Sequence, residues 1–253
     1  MEIVLRRGGL TAKAETMGGE LVSLQDAQGT EYIWGGDPAF WTGRNPVLFP
    51  IVGGLRGGTI HIQGRPFQMG RHGFARWGEF VPVDQGEDYV RFRLQESPET
   101  LAQYPYRFAL EVEHRLTDQG FTTQFTVEDR DESPLPFCIG AHTAFRCPLL
   151  AGERFEDYAI VFDQPETADG LLPDSEGCLV QGRTERFLDG TDTYPLDYQV
   201  FGRVDTLIFE GLASKGVTLR HRPTGRGIRL DYDGFPMIAF WTKPGAPFLC
   251  MEP

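Results

Sequence analysis

Two histidines and two carboxylates lie in sequence contexts where their side chains could do chemistry. His72 lies in the run GRHGFARW (residues 70–77), whose glycines and arginines leave the ring on irregular, approachable backbone. His142 has small neighbours that leave space beside its imidazole. Asp205 precedes an apolar run and Glu252 follows one. A carboxylate at the end of a buried strand is partnered or functional, because burying it unpaired costs on the order of several kcal/mol.

Each of these residues also has a structural interpretation. Either histidine could be a satisfied core residue, and either carboxylate could be held by a structural partner. The remaining histidines, His61, His114 and His221, lie in strand-like or turn contexts and are predicted to be structural. His72, His142 and Glu252 also match the two-histidine, one-carboxylate composition of a metal triad.

Composition narrows the classes of partner. The chain has 24 basic and 36 acidic residues, a formal net charge of −12, which disfavours nucleic-acid and membrane-surface binding. The basic residues are nearly all arginine, the only lysines being Lys13, Lys215 and Lys243. Arginine holds planar polar groups bidentately, which suits an anionic or hydroxyl-rich small molecule, a sugar phosphate among them.

Several other classes lack their signatures. The first seven residues turn charged after three apolar ones, and no stretch approaches about 18 uncharged apolar residues, so we predict a cytosolic protein without a membrane span. No phosphate-binding loop, serine-hydrolase elbow, HExxH zinc motif or dinucleotide fingerprint is present. We predict that the four cysteines are reduced packing residues, because no pair has CxxC spacing. The four tryptophans are interpreted as core residues or as a stacking platform for a sugar.

Alternating hydrophobicity dominates the chain and predicts an all-β protein. Residues 108–116 and 121–127 alternate apolar and polar positions on either side of a turn, which predicts an antiparallel hairpin. Helical signals are sparse, and the clearest is an N-cap at Ser97 followed by Pro98, with Pro105 expected to end the helix after about two turns. Strands separated by turns favour an antiparallel sandwich or a closed β structure, and with no linker evident we predict a single domain over residues 1–253.

Four motifs, in order, resemble the aldose 1-epimerase (galactose mutarotase) family. They are WTGRNPVLFPIVG (residues 41–53), HGFAR (72–76), GAHTAF (140–145) and FLCME (248–252), with Asp205 and residues 223–226 continuing the match. The HGFAR run is similar to the epimerase-like branch that carries this signature. The resemblance implies a large antiparallel β-sandwich, the supersandwich of the galactose mutarotase type.

The resemblance also implies a site and a reaction. Glu252 would be the general base, His142 the general acid and His72 a second histidine that positions the sugar. Asp205 would bind sugar hydroxyls, and Arg76 would line the same pocket. Such a site opens and recloses a sugar ring by proton transfer, so the α and β anomers interconvert. The implied partner is a hexose or related sugar, free or phosphorylated, and no cofactor or metal is required.

The chain departs from the family pattern at two places. Gly54 stands where the family usually has an arginine, and we expect Arg56, two residues on, to share a strand face with position 54 and replace it. The family continues for some tens of residues beyond the glutamate motif, so the chain is expected to lack a C-terminal segment. These departures leave a non-catalytic carbohydrate-binding or sensing protein as an alternative to a hexose mutarotase. A hexose-6-phosphate 1-epimerase is a second alternative, because Arg56, Arg71 and Arg76 could cradle a phosphate.

Overall fold

The computed structural model describes all residues 1–253, which form two compact units. Unit 1 consists of Met1–Gly35, Gly43–Ala141 and Glu176–Cys178, and unit 2 consists of Gly36–Thr42, His142–Ser175 and Leu179–Pro253. The two units are distinguished by their internal contacts, which do not show whether either unit folds independently. The single domain expected from the sequence therefore stays a prediction. No helix of the chain is long and apolar enough to cross a membrane.

Unit 1 consists of small antiparallel sheets. The first is the meander β1 (Glu2–Arg7), β2 (Leu10–Glu15) and β3 (Glu20–Gln25). The largest has the order β10-β9-β8-β7 and comprises β7 (Val81–Gln85), β8 (Tyr89–Gln95), β9 (Phe108–Leu116) and β10 (Phe121–Asp129). Two short pairs complete the unit, β4 (Val47–Leu48) with β11 (Gly140–Ala141), and β5 (Thr59–Ile62) with β6 (Arg65–Gln68).

Unit 2 is built on one eight-stranded antiparallel sheet. Its strands are β12 (Thr143–Arg146), β13 (Tyr158–Pro173), β14 (Leu179–Pro195), β15 (Thr206–Glu210), β16 (Gly216–His221), β17 (Gly227–Asp231), β18 (Met237–Trp241) and β19 (Phe248–Glu252). The order is β12-β19-β18-β15-β13-β16-β17, with β14 paired to β13. The edge-on contacts of Phe162, Phe209 and Phe240, with centroids 6.1–6.4 Å apart, form the centre of its core.

Two elements that the sequence patterns predict are present in the structure. Phe121 pairs with Leu116 across the turn, so the hairpin of β9 and β10 is confirmed. The helix after Ser97 is also confirmed as α1 (Pro98–Leu101), where the Ser97 side chain accepts the N–H of Thr100, although it is a single turn. A second short helix, α2 (Tyr198–Val204), was not predicted; the Asp197 side chain caps it by accepting the N–H of Gln199.

Two predictions of burial are wrong in part. Cys147 and Cys250 are buried, but Cys138 is exposed, so not every cysteine is a packing residue. Trp34 is a core residue at 4% exposure, whereas Trp77 is 71% exposed. Trp77 ends a short 3₁₀ helix (Ala75–Trp77), and its ring stacks on the neighbouring Arg76 guanidinium, 5.0 Å from the ring centroid.

Two of the three histidines predicted to be structural have structural contacts. His114 is buried in β9, where its two ring nitrogens bond to the Thr123 hydroxyl and the Gly19 carbonyl oxygen. His221 is buried at the end of β16 and bonds to the Thr224 hydroxyl. His61 lies exposed on β5.

Candidate active site

Unit 2 brings His142 and Glu252 into contact. β12 and β19 are antiparallel, with Thr143 opposite Met251 and Ala144 opposite Cys250, and continuing this register by one residue places His142 opposite Glu252. Directly opposed residues project from the same face of a sheet. The Nε2 of His142 therefore lies 3.4 Å from Oε1 of Glu252, and each side chain is only 9% exposed.

Aromatic rings surround this pair. The Trp41 ring lies 4.9 Å from the His142 ring in a tilted arrangement, and the Trp241 ring meets the imidazole edge-on at 5.7 Å. Trp41 and Trp241 also contact each other and Phe248, with centroids 5.3–5.7 Å apart. These rings cover one side of the His142–Glu252 pair and offer flat apolar surfaces of the kind on which a sugar can stack.

Cys250 lies beside the pair and was interpreted from the sequence as packing alone. It is two residues before Glu252 on β19, so both side chains point to the same face of the sheet. Its Sγ, a ring nitrogen of His142 and a carboxylate oxygen of Glu252 all lie within 4.8 Å of one another. Burial raises the pKa of the Cys250 thiol well above its usual value, and the carboxylate of Glu252 adds to this effect.

Asp205 is the other predicted residue in unit 2. It is exposed, it follows α2, and it precedes β15 with a positive φ of 64°. Its carboxylate accepts a hydrogen bond from the Thr206 hydroxyl at 3.0 Å. β15 is separated from β19 by β18, so Asp205 is expected to lie about 10 Å from β19 in strand spacing, at the strand start that the sequence predicted.

Unit 1 holds His72 in one orientation. The residue has a positive φ of 66°, its N–H donates to the Gly53 carbonyl, and its Nδ1 accepts the N–H of Gly53 at 3.1 Å. A ring nitrogen that accepts a hydrogen bond carries no proton, so the neutral ring carries its proton on Nε2. Burial and the nearby Arg76 and Arg71 lower the pKa of His72 to about 4. His72 is therefore a neutral Nε2–H donor near pH 7.

The HGFAR segment is fixed by its own packing. Phe74 is buried and meets Phe49 edge-on at 6.2 Å, which holds the segment against the core of the unit. Gly73 has a positive φ of 71°, and a Cβ there would lie 2.2 Å from the Phe49 carbonyl oxygen, so only glycine fits. Because Gly73 precedes Phe74 and follows His72, this close approach fixes the backbone that presents the histidine.

A carboxylate that the sequence did not single out lies in the same unit as Arg76. Glu20, at the start of β3, accepts the Asn45 N–H at 3.4 Å. Burial raises its pKa to about 7, although the Asn45 N–H and the charges of Arg76 and Arg44 act in the opposite direction. Glu20 therefore exchanges its proton near neutrality.

Arg56 does not lie in a strand, so the expectation that it shares a strand face with position 54 is wrong. It begins a short 3₁₀ helix (Arg56–Gly58), its side chain is 63% exposed, and its guanidinium lies 3.8 Å from a Glu176 carboxylate oxygen. Position 54 cannot carry a long side chain here. A Cβ on Gly54 would lie 2.0 Å from the Glu176 carbonyl oxygen, because residues 176–178 pass directly over this glycine.

The predicted residues thus form two groups and one outlier. His142 and Glu252 are in contact in unit 2, with Asp205 at a strand end of the same sheet. His72 and Arg76 are neighbours in unit 1. Arg56 pairs with a carboxylate on an exposed turn. The fold and these residues define a class: an all-β protein with an imidazole and a carboxylate in contact beside aromatic rings.

Comparison with known proteins assigns this class to a family. The sequence model described as "Aldose 1-epimerase" matches residues 1–247. The chromosomal protein LacX of Lactococcus lactis subsp. lactis is 39% identical over 262 aligned positions, which cover 100% of this chain and 87% of LacX.

Solved structures agree. A galactose mutarotase related enzyme from Lactobacillus acidophilus superposes with a TM-score of 0.91 at 26% identity, covering 100% of this chain and 85% of that one. A galactose mutarotase-like protein from Lactobacillus casei ATCC 334 gives a TM-score of 0.88 at 27% identity, covering 100% and 87%.

The chain belongs to the aldose 1-epimerase family, and its fold is the antiparallel β-sandwich of the galactose mutarotase type. Both predictions from the four motifs are confirmed. Family membership supports a sugar epimerase, and the sugar itself and the roles of single residues are matters for proposal.

Proposed function

We propose that the chain is an aldose 1-epimerase, a mutarotase that interconverts the α and β anomers of a hexose or related sugar. The observation that carries the proposal is the 3.4 Å contact between Nε2 of His142 and Oε1 of Glu252. The anomeric hydroxyl and the ring oxygen of a pyranose are bonded to the same carbon, C1. A catalyst that takes a proton from one oxygen and gives a proton to the other needs its base and its acid side by side, and this pair has that arrangement.

The reaction follows from these two groups. Glu252 takes the proton of the anomeric hydroxyl while His142 gives its proton to the ring oxygen, and the bond between C1 and the ring oxygen breaks to leave an aldehyde. The aldehyde carbon then rotates, and the hydroxyl formed from the ring oxygen attacks its other face. In this closing step that hydroxyl gives its proton back to His142 and Glu252 gives its proton to the aldehyde oxygen, so the enzyme ends unchanged. The carboxylate stabilises positive charge on the imidazole, so the pair holds the proton that the reaction moves.

Except for Arg56, the other predicted residues are assigned binding roles. In unit 2, we assign to Asp205 the hydrogen bonding of sugar hydroxyls, because an exposed carboxylate accepts from such groups. In unit 1, His72 donates from Nε2 to a sugar oxygen, and Arg76 binds substrate oxygens as a further donor. Arg56, which pairs with Glu176, is assigned no binding role. The fixed tautomer of His72 supports its role, because a neutral donor in one orientation positions a substrate without taking part in the proton transfer.

The test follows the rate at which freshly dissolved sugar reaches anomeric equilibrium. We expect the wild-type protein to accelerate this by NMR or polarimetry for at least one sugar in a panel containing α-glucose and α-galactose. Glu252→Gln and His142→Ala should abolish most of the acceleration. Buffer-level rates for every sugar would overturn the proposal, and calorimetric sugar binding at those rates would indicate a carbohydrate-binding or sensing protein.

One observation favours a phosphorylated substrate as a variant of this function. Arg71 and Arg76 both lie close enough to His72 to lower the pKa of its ring, so two cationic guanidinium groups flank a neutral donor. Arginine pairs are suited to phosphate oxygens. Mutarotation rates measured side by side on glucose and glucose 6-phosphate test this. A preference for the phosphate that falls in Arg71→Ala supports it, and equal rates exclude it.

A further inference from the structure

Three different metal-binding side chains meet in unit 2, and only two of them are used by the proposed reaction. The third is Cys250, whose Sγ lies with a His142 nitrogen and a Glu252 oxygen so that all three atoms are within 4.8 Å of one another. The strand geometry fixes this arrangement. Cys250 and Glu252 are two residues apart on β19, so their side chains lie on the same face of the strand. His142 lies opposite Glu252, directly before β12.

One of the three distances already matches that of a small tetrahedral ion. Zinc binds imidazole nitrogen and carboxylate oxygen at about 2.0–2.2 Å and thiolate sulfur at about 2.3 Å. Tetrahedral angles then place the nitrogen and the oxygen roughly 3.4 Å apart and the sulfur roughly 3.6 Å from either. The observed separation of Nε2 and Oε1 is 3.4 Å, so His142 and Glu252 are already at the spacing that the ion requires. The Sγ of Cys250 lies within 4.8 Å of the other two atoms, so it has to approach them by at most about 1.2 Å to reach the 3.6 Å spacing.

The donor set selects the class of ion. Magnesium and calcium prefer ligands that are all oxygen, whereas a thiolate and an imidazole favour zinc, cadmium and cobalt. The wall of Trp41, Trp241 and Phe248 shields the cluster on one side, and the side chains of His142 and Glu252 are each 9% exposed. Three protein ligands leave the fourth tetrahedral position for water or a solute.

We propose that His142, Cys250 and Glu252 bind one zinc-class divalent cation, and that this ion inhibits the epimerase. Binding releases to the buffer the thiol proton of Cys250 and the proton that His142 holds as general acid, and it forms a sulfur–metal bond with no change of oxidation state. The lone pairs of His142 and Glu252 become metal ligands, so neither group can exchange a proton with a sugar. Inhibition rests on the proposed function, whereas metal binding does not.

The binding test uses cobalt as a spectroscopic substitute for zinc. It is made in a protein carrying Cys138→Ser and Cys178→Ser, which removes the exposed and the half-buried thiols. We expect one equivalent of Co²⁺ to produce thiolate-to-cobalt charge-transfer absorption, and zinc to displace it. Adding Cys250→Ser should abolish the absorption band. It should also weaken zinc binding, measured by calorimetry, by more than about 100-fold, which is more than the loss of a residue that only supports a ligand would cause. Magnesium should not bind.

A second measurement needs no substitution at the cluster, in case Cys250→Ser does not fold. Zinc K-edge absorption of the protein with Cys250 intact should show one sulfur at about 2.3 Å and nitrogen or oxygen neighbours at about 2.0–2.2 Å. Absence of cobalt and zinc binding, or zinc bound without sulfur, overturns the proposal.

The inhibition test separates this proposal from the proposed function. Micromolar zinc should slow mutarotation, a chelator should restore it, and Cys250→Ser should need more than about 100-fold more zinc for the same fractional loss of its own metal-free rate. A protein that binds zinc through sulfur but accelerates no sugar confirms the metal site and refutes the epimerase. An active protein that zinc does not inhibit refutes the inhibition.

Discussion

The imidazole of His142 and the carboxylate of Glu252 face each other across two antiparallel strands, with Nε2 and Oε1 3.4 Å apart. The two residues are 110 positions apart in the chain, and only the pairing of β12 with β19 brings them together. Because these strands are neighbours in the sheet, the spacing of the pair is held by backbone hydrogen bonds and not by a flexible loop. The separation of the two side chains is therefore expected to vary little.

Removing either member of this pair should remove most of the catalysis. We expect Glu252→Gln and His142→Ala each to slow mutarotation by roughly 10²- to 10⁴-fold, the usual contribution of general acid–base catalysis. The double variant should lose little more than either single variant, because the two groups act as a unit. The rate of anomeric equilibration by NMR measures this.

The matched controls are His61→Ala and Glu210→Gln, which change an exposed histidine and an exposed glutamate on β5 and β15. Both should retain the wild-type rate. Equal rates for the Glu252→Gln variant and the wild type, at unchanged stability, would refute the assigned roles.

His72 should titrate far below the range of an ordinary histidine. Burial, Arg76 and Arg71 lower its pKa to about 4, and Arg71→Ala should raise it because one positive charge is removed. Histidine side-chain NMR across pH 3–8 measures both values. His114, whose pKa burial alone lowers to about 4, is the internal control, since Arg71→Ala should leave it unchanged. A His72 pKa near 6.5 would contradict the cationic surroundings inferred for this ring.

Local patterns allowed the strands and the core to be predicted. Period-two alternation identified the hairpin of β9 and β10, because one face of each strand is buried and the other is exposed. The short helix α2 was missed, because its seven residues give too few turns for a periodic signal and only the Asp197 cap marks its start. Trp77 was misjudged because nothing in its residue type distinguishes a core indole from one that is 71% exposed.

The candidate site depended on motifs more than on patterns. His142 and Glu252 were proposed as partners from the resemblance, and their contact follows from a strand register that no local pattern specifies. Cys250 was interpreted as packing, although its position two residues before Glu252 on a strand was a signal for a shared face. Glu20 carried no signal at all, because its raised pKa comes from burial by residues distant in the sequence. The expected role of Arg56 assumed a strand where the chain forms a turn.

Glu20 should make the protein less stable as the pH rises through neutrality. Its pKa is about 7 in the folded protein and 4.5 in a model peptide, so the stability that it contributes is fully present below 4.5 and is lost as the pH rises through about 7. Glu20→Gln should remove this loss, so the free energy of unfolding should fall less between pH 5 and pH 8 than in the wild type. Urea denaturation at both values measures the difference.

A second titrating residue and a control variant bear on the interpretation of this measurement. His72 acts with the opposite sign, since its lowered pKa gives stability that is present above pH 6.5 and is lost as the pH falls through about 4. This loss falls partly between pH 5 and pH 8, but it is the same in Glu20→Gln and the wild type, so it cancels when the two are compared. Glu210→Gln, on an exposed strand position, is the control and should keep the wild-type pH dependence. An identical pH dependence in Glu20→Gln and the wild type would show that Glu20 ionises normally.

Gly54 should tolerate no side chain, although its backbone conformation is not left-handed. A Cβ there would lie 2.0 Å from the Glu176 carbonyl oxygen, and because the obstacle is backbone, Gly54→Ala must displace residues 176–178. We expect a loss of about 1–3 kcal/mol of stability, as for other overpacked sites, and a fall in Tm of roughly 2–4 °C per kcal/mol. Gly35→Ala, where a Cβ would meet nothing within 4 Å, is the control and should melt close to the wild type. If Gly54→Ala also melts like the wild type, residues 176–178 move easily, and an arginine at position 54 would be compatible with this fold. If Gly54→Ala melts lower, the arginine usual in the family is absent here because residues 176–178 occupy the space that its side chain would need.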